Sequence, residues 1–102
     1  MDTFTGMRLF AEVVDAGSFS AAGRRLGLAA SSVSRQVNSL EDTLNARLLN
    51  RSTRSLSLTH AGEIYYERVR RILSEVIETN AAVSQLEATP KGSLRVNAPV
   101  VF

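Results

Sequence analysis

Two helix-length segments separated by a three-residue turn lie between Ser18 and Thr59, and they constrain the fold more than any other part of the chain. Ser18 is a favourable N-cap residue and Gly27 is a favourable helix terminator, so the first segment predicts a short helix between them. The second segment predicts a helix from about Ala30 to Leu44, because its apolar residues recur at steps of three and four. Those residues are Val33, Val37, Leu40 and Leu44. Two helices joined by so tight a turn are typical of a helix-turn-helix unit.

The first helix of this unit has an apolar side that we expect to face inward. Its members are Phe19, Ala22 and Leu26, and we expect Leu28 to fill the turn that follows. Gly23 lies on the same side, and a glycine inside a helix costs about 1 kcal/mol relative to alanine. Gly23 is therefore either a tolerated weak position or the point where the backbone of the next helix comes close, and the sequence leaves both interpretations open.

Flanking segments complete the predicted architecture. Upstream, helical spacing of apolar residues predicts a helix that Gly17 ends. Its apolar face comprises Phe4, Met7, Phe10, Ala11, Val13 and Val14. Downstream, Leu48–Arg51 and Leu56–Leu58 have the length of short strands, and Ser52–Ser55 would join them as a hairpin. We therefore predict a mainly α fold, a winged helix-turn-helix with a two-stranded wing.

A long helix is predicted after the hairpin. Thr59 can cap it, and its apolar stripe continues to about Ala88. A lone helix of this length with so wide an apolar stripe needs a partner surface. We therefore predict a dimerising helix. The residues expected at the interface are Tyr65, Val69, Ile72, Val76 and Val83.

The end of the chain differs in composition from the rest. Thr89–Ser93 contains proline and glycine and is predicted to be a hinge. Leu94, Val96, Ala98 and Val100 then alternate with polar residues and proline, as in a first strand of another domain. The predicted organisation is a winged helix-turn-helix domain over 1–58, a linker and dimerisation helix over 59–89, and a hinge with a truncated strand over 90–102.

Composition excludes several classes of function. The chain has no cysteine and one histidine, so thiolate metal sites are excluded and histidine-based catalysis is disfavoured. We expect neither an enzyme nor a resident metal. No apolar run reaches the roughly 20 residues of a membrane span, and no signal peptide is visible at the start, so we expect a cytoplasmic protein.

Positive charge is concentrated in the helix-turn-helix and hairpin. From Ser18 to Thr59 there are six arginines and two acidic residues, a net charge of +4, whereas the whole chain carries +2. This distribution suits a surface that faces nucleic acid. The outer side of the second helix has short side chains near its N-terminus, which lets such a helix approach base edges in the major groove. Arginines in the hairpin can reach a phosphate or the minor groove.

The predicted DNA contacts lie on these two elements. The second helix contributes Ala30, Ser31, Ser34, Arg35 and Asn38, and the hairpin contributes Arg51, Thr53 and Arg54. Two other functions remain open at this point: an architectural DNA binder of low specificity, and a winged-helix module that contacts only proteins. The ratio of specific to nonspecific affinity distinguishes the first, and the absence of salt-dependent DNA binding would indicate the second.

The combination of these motifs resembles the DNA-binding region of LysR-type transcriptional regulators. The matching segments are Gly17-Ser18-Phe19-Ser20-Ala21-Ala22, Leu26-Gly27-Leu28, Val33-Ser34-Arg35-Gln36-Val37, Arg47-Leu48-Leu49-Asn50-Arg51 and Leu58-Thr59-His60-Ala61-Gly62. The resemblance implies a bacterial transcription factor that binds double-stranded promoter DNA as a homodimer or a tetramer. It also implies antiparallel linker helices and a small-molecule effector in a further C-terminal domain, with no cofactor in the present segment.

The chain departs from the family pattern at three positions. Ala29 stands where the family usually has a serine or threonine cap, and Ala30 stands where proline or glutamine is common. Gly23 replaces a usual alanine. Loss of a capping side chain costs roughly 1 kcal/mol. These departures bear on the base preference and leave the expected fold unchanged.

Overall fold

The computed structural model describes residues 2–52 and 55–88, with the side chain of residue 88 left aside. Its elements are α1 (Thr3–Ala16), α2 (Phe19–Leu26), α3 (Ala30–Leu44), β1 (Leu49–Arg51), β2 (Leu56–Leu58) and α4 (His60–Ala88). The strands pair antiparallel, with Leu49 opposite Leu58 and Arg51 opposite Leu56. The predicted order of helices and hairpin is confirmed. The predicted Thr53, Arg54, hinge and final strand lie outside the described residues.

The helix ends are set by the residues that the sequence indicated. The Ser18 hydroxyl accepts a hydrogen bond from the backbone N–H of Ala21 at 3.0 Å and so caps α2. The Thr59 hydroxyl accepts from the N–H of Gly62 at 2.9 Å at the start of α4. Gly17, Gly27 and Asn45 follow α1, α2 and α3 in the left-handed conformation, with φ of 89°, 72° and 54°. Since this conformation suits glycine and asparagine best, the three stops are local consequences of the sequence.

One core joins α1, α2, α3 and the beginning of the hairpin. Its fully buried members are Phe10, Val13, Ala22, Val33, Val37, Leu40, Leu48 and Leu49. The first half of α4 packs on this core, because the Phe10 ring lies 5.5 Å from the Tyr65 ring and 6.4 Å from the Tyr66 ring. The described chain divides within α4 into two compact units, one ending at Ile72 and the other beginning at Leu73.

Val69 differs from the prediction. It is completely buried within its own chain. A side chain with no exposed surface cannot also cover a partner, so Val69 belongs to the core of the first unit and not to a dimer interface. The helical stripe was read correctly as apolar, but part of it faces its own domain.

Three other side chains that we expected to point inward are exposed. Phe4 is 40% exposed, Leu26 38% and Leu28 40%. Phe4 and Leu26 lie in terminal turns of their helices, where fewer neighbours surround a side chain. The turn after α2 is closed by its backbone, since the N–H of Leu28 donates to the carbonyl of Gly23 at 2.8 Å. The Leu28 side chain therefore does not fill it.

Gly23 is a point of close backbone approach. A Cβ at this position would overlap the carbonyl oxygen of Leu28 and would touch the backbone of Ala29 and Ala30. The second interpretation of Gly23 is confirmed: its missing side chain lets the turn and the start of α3 pack directly on α2. This packing fixes the position of α3 relative to α2.

Candidate nucleic-acid interface

The outer face of α3 presents polar side chains. Ser31, Arg35 and Asn38 are exposed, and Ala30 and Ser34 are half-buried. Among the described residues Arg35 makes no hydrogen bond or ion pair, so its guanidinium remains available for an outside ligand. The opposite face holds Val33 and Val37 in the core. The structure thus brings together the five residues that the sequence assigned to this helix.

Arg51 in β1 is held by the rest of the domain. Its guanidinium lies over the Phe19 ring, with the central carbon 4.9 Å from the ring centroid. One nitrogen donates to the Ser34 hydroxyl at 3.4 Å, and another approaches Glu41 at 3.5 Å. Arg51 therefore differs from Arg35, because its charge and its donors already have partners.

Glu41 is a site residue that the sequence reasoning missed. It is 5% exposed, and among the described residues it is the charged side chain that is buried. Its carboxylate accepts from the backbone N–H groups of Leu48 and Leu49 at 2.8 and 3.2 Å, and from Arg47 and Arg51 at 3.2 and 3.5 Å. Backbone donors and cations together satisfy a buried carboxylate. Glu41 thus connects α3 to residues 47–51, which lead into and form the first strand of the wing. Its position four residues after the inward Val37 is the signal that could have revealed it.

The strands β1 and β2 form the wing. At the end of the strand pair, the N–H of Ser52 donates to the carbonyl of Ser55 at 3.2 Å, and the N–H of Ser55 donates to the Ser52 hydroxyl at 3.0 Å. Thr53 and Arg54, both predicted to contact DNA, lie outside the described residues.

Ser34 and Arg51 line a shallow groove of about 430 Å³ between α2, α3 and the hairpin. Serines are frequent among its lining residues. The remaining lining residues are Gly17, Ser18, Phe19, Ser20, Ser52, Ser55 and Leu56. A second depression, polar and of about 700 Å³, is lined by Arg51 together with Asn38 and Arg47. Arg51 therefore contributes to both hollows.

The arginines of α2 are not equivalent. Arg25 pairs with Glu12 of α1 at 2.9 Å, whereas Arg24 is exposed and makes no ion pair with any described residue. In α4, Arg70 lies 3.5 Å from Asp15, and Arg71 lies 3.3 Å from Glu67. The Tyr66 hydroxyl also donates to Asp15, which raises the pKa of Tyr66. The pairs of Arg25 and Arg70 join α1 to α2 and to α4, and the pair of Arg71 lies within α4. All three belong to the scaffold.

A second surface is apolar and lies on the first half of α4. A groove of about 640 Å³ is lined by Leu44, Ala46, Leu48, Ala61, Ile64, Tyr65, Arg68, Arg71 and Ile72. Ile64 and Ile72 are 51% and 40% exposed. The Tyr65 hydroxyl is buried without a hydrogen-bond partner among the described residues, and burial raises the pKa of Tyr65. Of the other predicted interface residues, Val76 is half-buried and Val83 is 57% exposed.

The described part of the chain offers no other evident chemistry. Within it, no cluster of three metal-ligating side chains occurs. No helix in that part is long and apolar enough to cross a membrane.

Comparison with known sequences identifies the family. Residues 4–63 match the model described as "Bacterial regulatory helix-turn-helix protein, lysR family". The chain is 48% identical over 96 residues to the transcriptional activator AaeR of Escherichia coli, covering 94% of this chain and 31% of that protein. It is 44% identical over 92 residues to the regulator CrgA of Neisseria meningitidis, covering 90% of this chain and 31% of that protein. The chain thus spans about a third of the length of these relatives.

Comparison with solved structures agrees. A BenM DBD in complex with catB site 1 DNA superposes with a TM-score of 0.80 at 29% identity, covering 88% of this chain and 99% of that one. A CbnR DBD–DNA complex superposes with a TM-score of 0.73 at 36% identity, covering 87% of this chain and all of that one, 100%. These likenesses confirm the predicted winged helix-turn-helix. From the family model, the relatives and the fold together, the chain belongs to the LysR family of bacterial regulatory helix-turn-helix proteins.

Proposed function

We propose that this chain is the DNA-binding part of a transcriptional regulator and recognises specific sequences in promoter DNA. The observation that carries the proposal is the outer face of α3, where Arg35 is exposed and has no partner among the described residues. Ser31, Ser34 and Asn38 lie on the same helix and supply short polar groups. A helix with this face fits the major groove, where arginine reads guanine and asparagine reads adenine through paired hydrogen bonds.

The wing supplies contacts of a different kind. Thr53 and Arg54 lie between the two strands in the sequence, and the sequence predicts Arg54 in the turn of the hairpin. A cation at this place meets the phosphate backbone or the minor groove of the flanking duplex. Arg54 therefore contributes affinity to any duplex, whereas Arg35 contributes discrimination between duplexes.

The active species in the proposal is a homodimer assembled through α4. Tyr65, Ile72, Val76 and Val83 remain as interface residues after Val69 is assigned to the core. The charges along the helix favour antiparallel pairing. Residues 60–72 contain three arginines and two glutamates, whereas residues 73–88 contain three glutamates and no lysine or arginine. Antiparallel helices would place the acidic half of one copy beside the arginines of the other.

The remaining features of the proposal concern the whole regulator. By family likeness it binds DNA in the bacterial cytoplasm, as a dimer or as a tetramer made of two such dimers. A small molecule would bind a C-terminal effector domain and modulate it. The segment described here would need no cofactor, because its contacts to DNA are made by side chains and backbone alone.

The test compares Arg35→Ala with Arg54→Ala on two duplexes. A selection from random duplexes first supplies the preferred site and the half-site spacing. Arg35→Ala should lose about 1–3 kcal/mol on the preferred site and much less on random duplex. Arg54→Ala should weaken both duplexes by similar amounts and lower the log–log salt slope by about one per protomer.

Three outcomes would contradict the proposal or part of it. Equal losses for Arg35→Ala on both duplexes would favour the architectural binder of low specificity. No salt-dependent binding of the unaltered chain to any duplex would favour a protein-interaction module. A loss for Arg54→Ala that is larger on A·T-rich flanks would place that side chain in the minor groove instead of on the backbone.

A further inference from the structure

We infer that Arg51 is a positioning residue that fixes the Ser34 hydroxyl as a hydrogen-bond donor toward DNA, and that it does not itself bind a phosphate. The inference rests on the proposed function and assigns a chemical preference at one position of the site. It predicts that the base facing Ser34 presents an acceptor atom, so that cytosine, which presents only a donor in the major groove, is disfavoured at that position.

The first step is the partial neutralisation of Arg51. Its guanidinium lies 3.5 Å from Glu41, a carboxylate that it shares with Arg47 and that is fixed by the N–H groups of Leu48 and Leu49. The Arg51 side chain is 26% exposed, compared with 66% for the Arg47 side chain that shares this carboxylate. A phosphate would have to compete with a buried carboxylate for a guanidinium that is already paired. A free arginine such as Arg35 has no such competitor.

The second step is the orientation of Arg51. The guanidinium lies 4.9 Å from the centroid of the Phe19 ring. Contact with an aromatic face and a carboxylate leaves the planar group little freedom to rotate. One of its N–H groups is thereby directed at the Ser34 oxygen, 3.4 Å away.

The third step concerns the proton of Ser34. A serine hydroxyl has one donor and two acceptor lone pairs, and its hydrogen rotates to suit the surroundings. Arg51 uses one lone pair, and the cation disfavours a hydroxyl hydrogen pointing toward it. Among the described residues the Ser34 hydroxyl donates to none, so its O–H is left to point away from Arg51. Major-groove acceptors are the N7 and O6 of guanine, the N7 of adenine and the O4 of thymine.

Arg47 offers a matched control. Arg47 and Arg51 approach the same oxygen of Glu41, at 3.2 and 3.5 Å. Removal of either cation takes the same charge from the same carboxylate, but only Arg51 also touches Ser34 and Phe19. A difference between the two variants therefore reports on positioning and not on charge.

The experiment measures dissociation constants for the preferred duplex and for duplexes with the other three base pairs at each position of the half-site. Ser34→Ala should lose discrimination of about three- to tenfold at one base pair, the range of a single hydrogen bond. Arg51→Ala should lose discrimination at that same base pair, and the double variant should lose no more than the larger single variant. Arg47→Ala should keep the discrimination. The salt slope of Arg51→Ala should match that of Arg47→Ala.

A second substitution at the same position tests whether a loss seen with Arg51→Ala comes from misfolding. Arg51→Met keeps an unbranched apolar stem over Phe19 and removes both the charge and the donors. It should reproduce the base-specific loss with an intact far-ultraviolet circular dichroism spectrum. The inference is overturned if the losses of Ser34→Ala and Arg51→Ala multiply, or if the salt slope falls by about one for Arg51→Ala alone, which indicates a phosphate contact. It is also overturned if Arg47→Ala behaves as Arg51→Ala does. Failure of the proposed function is distinct, since then the unaltered chain prefers no duplex.

Discussion

Two regions differ in how many of their side chains have partners within the same chain. They are the corner where α3 meets β1 and the second half of α4. At the corner, one buried carboxylate, that of Glu41, accepts from two backbone N–H groups and two arginines. In residues 73–88, large apolar side chains are open to solvent, and Ile77, Val83 and Leu86 are 67%, 57% and 73% exposed. The polar groups of the corner have partners within a single chain, whereas the apolar side chains of residues 73–88 need another surface to cover them.

This difference separates two aspects of DNA recognition. The corner fixes the wing relative to α3, so in the proposed complex the fold of one chain sets the geometry of one half-site. The spacing between half-sites would depend on how two chains pair along α4. Variants at the corner should therefore change stability and base preference, and variants on α4 should change assembly.

The largest expected effect is on assembly. Ile72 is 40% exposed and lines the apolar groove, so Ile72→Glu places a charge where a partner should cover it. An unpaired buried charge costs about 3–5 kcal/mol, which weakens association by roughly a hundredfold to several thousandfold. Light scattering should show a monomer at low micromolar concentration, and binding to a duplex with two half-sites should weaken strongly.

Ser74→Glu is the control for Ile72→Glu. It adds the same charge to the same helix two residues further on, about 200° around the axis. Ser74 is exposed, and this variant should stay dimeric. If Ile72→Glu remains a dimer as well, the interface is not on this stripe.

The same contrast explains what could be predicted from the sequence. Capping residues and apolar spacing act locally, so the bounds of α3, predicted as about Ala30 to Leu44, were confirmed, as were the stops at Gly17 and Gly27. Periodicity does not say which surface covers an apolar stripe, and for this reason Val69 was assigned to a partner although its own chain buries it. Glu41 was missed because a buried carboxylate is stabilised by partners distant in sequence, such as Leu48 and Arg51.

The next effect in size is on the stability of the corner. Glu41→Ala should leave the N–H groups of Leu48 and Leu49 without their acceptor, and unsatisfied buried donors cost about 1–3 kcal/mol each. We expect a loss of about 2–4 kcal/mol in the free energy of unfolding, measured by urea denaturation followed by circular dichroism.

Glu12→Ala is the matched control for Glu41→Ala. Glu12 pairs with Arg25 at 2.9 Å, a shorter distance than either arginine makes to Glu41, but its side chain is 28% exposed. Exposed pairs contribute only about 0–1 kcal/mol. If both variants lose the same stability, the ion pairs and not the buried N–H acceptor hold the corner together.

The smallest effect is expected at the N-terminus of α3, the end of the helix opposite Glu41. α3 begins after Ala29, whose backbone is extended with φ of −69° and ψ of 146°, and no side chain caps it. This is the conformation in which a serine oxygen can accept from the N–H groups of the first turn. Ala29→Ser should therefore stabilise the free chain by about 1 kcal/mol, and Ser18→Ala, which removes the existing cap of α2, should destabilise it by a similar amount. Thermal unfolding of the two variants beside the unaltered chain measures both changes. An unchanged melting temperature for Ala29→Ser, with the expected decrease for Ser18→Ala, would mean that the start of α3 is already satisfied. The N–H groups of the first turn of α3 would then already have hydrogen-bond acceptors, as the N–H groups of Leu48 and Leu49 have in Glu41.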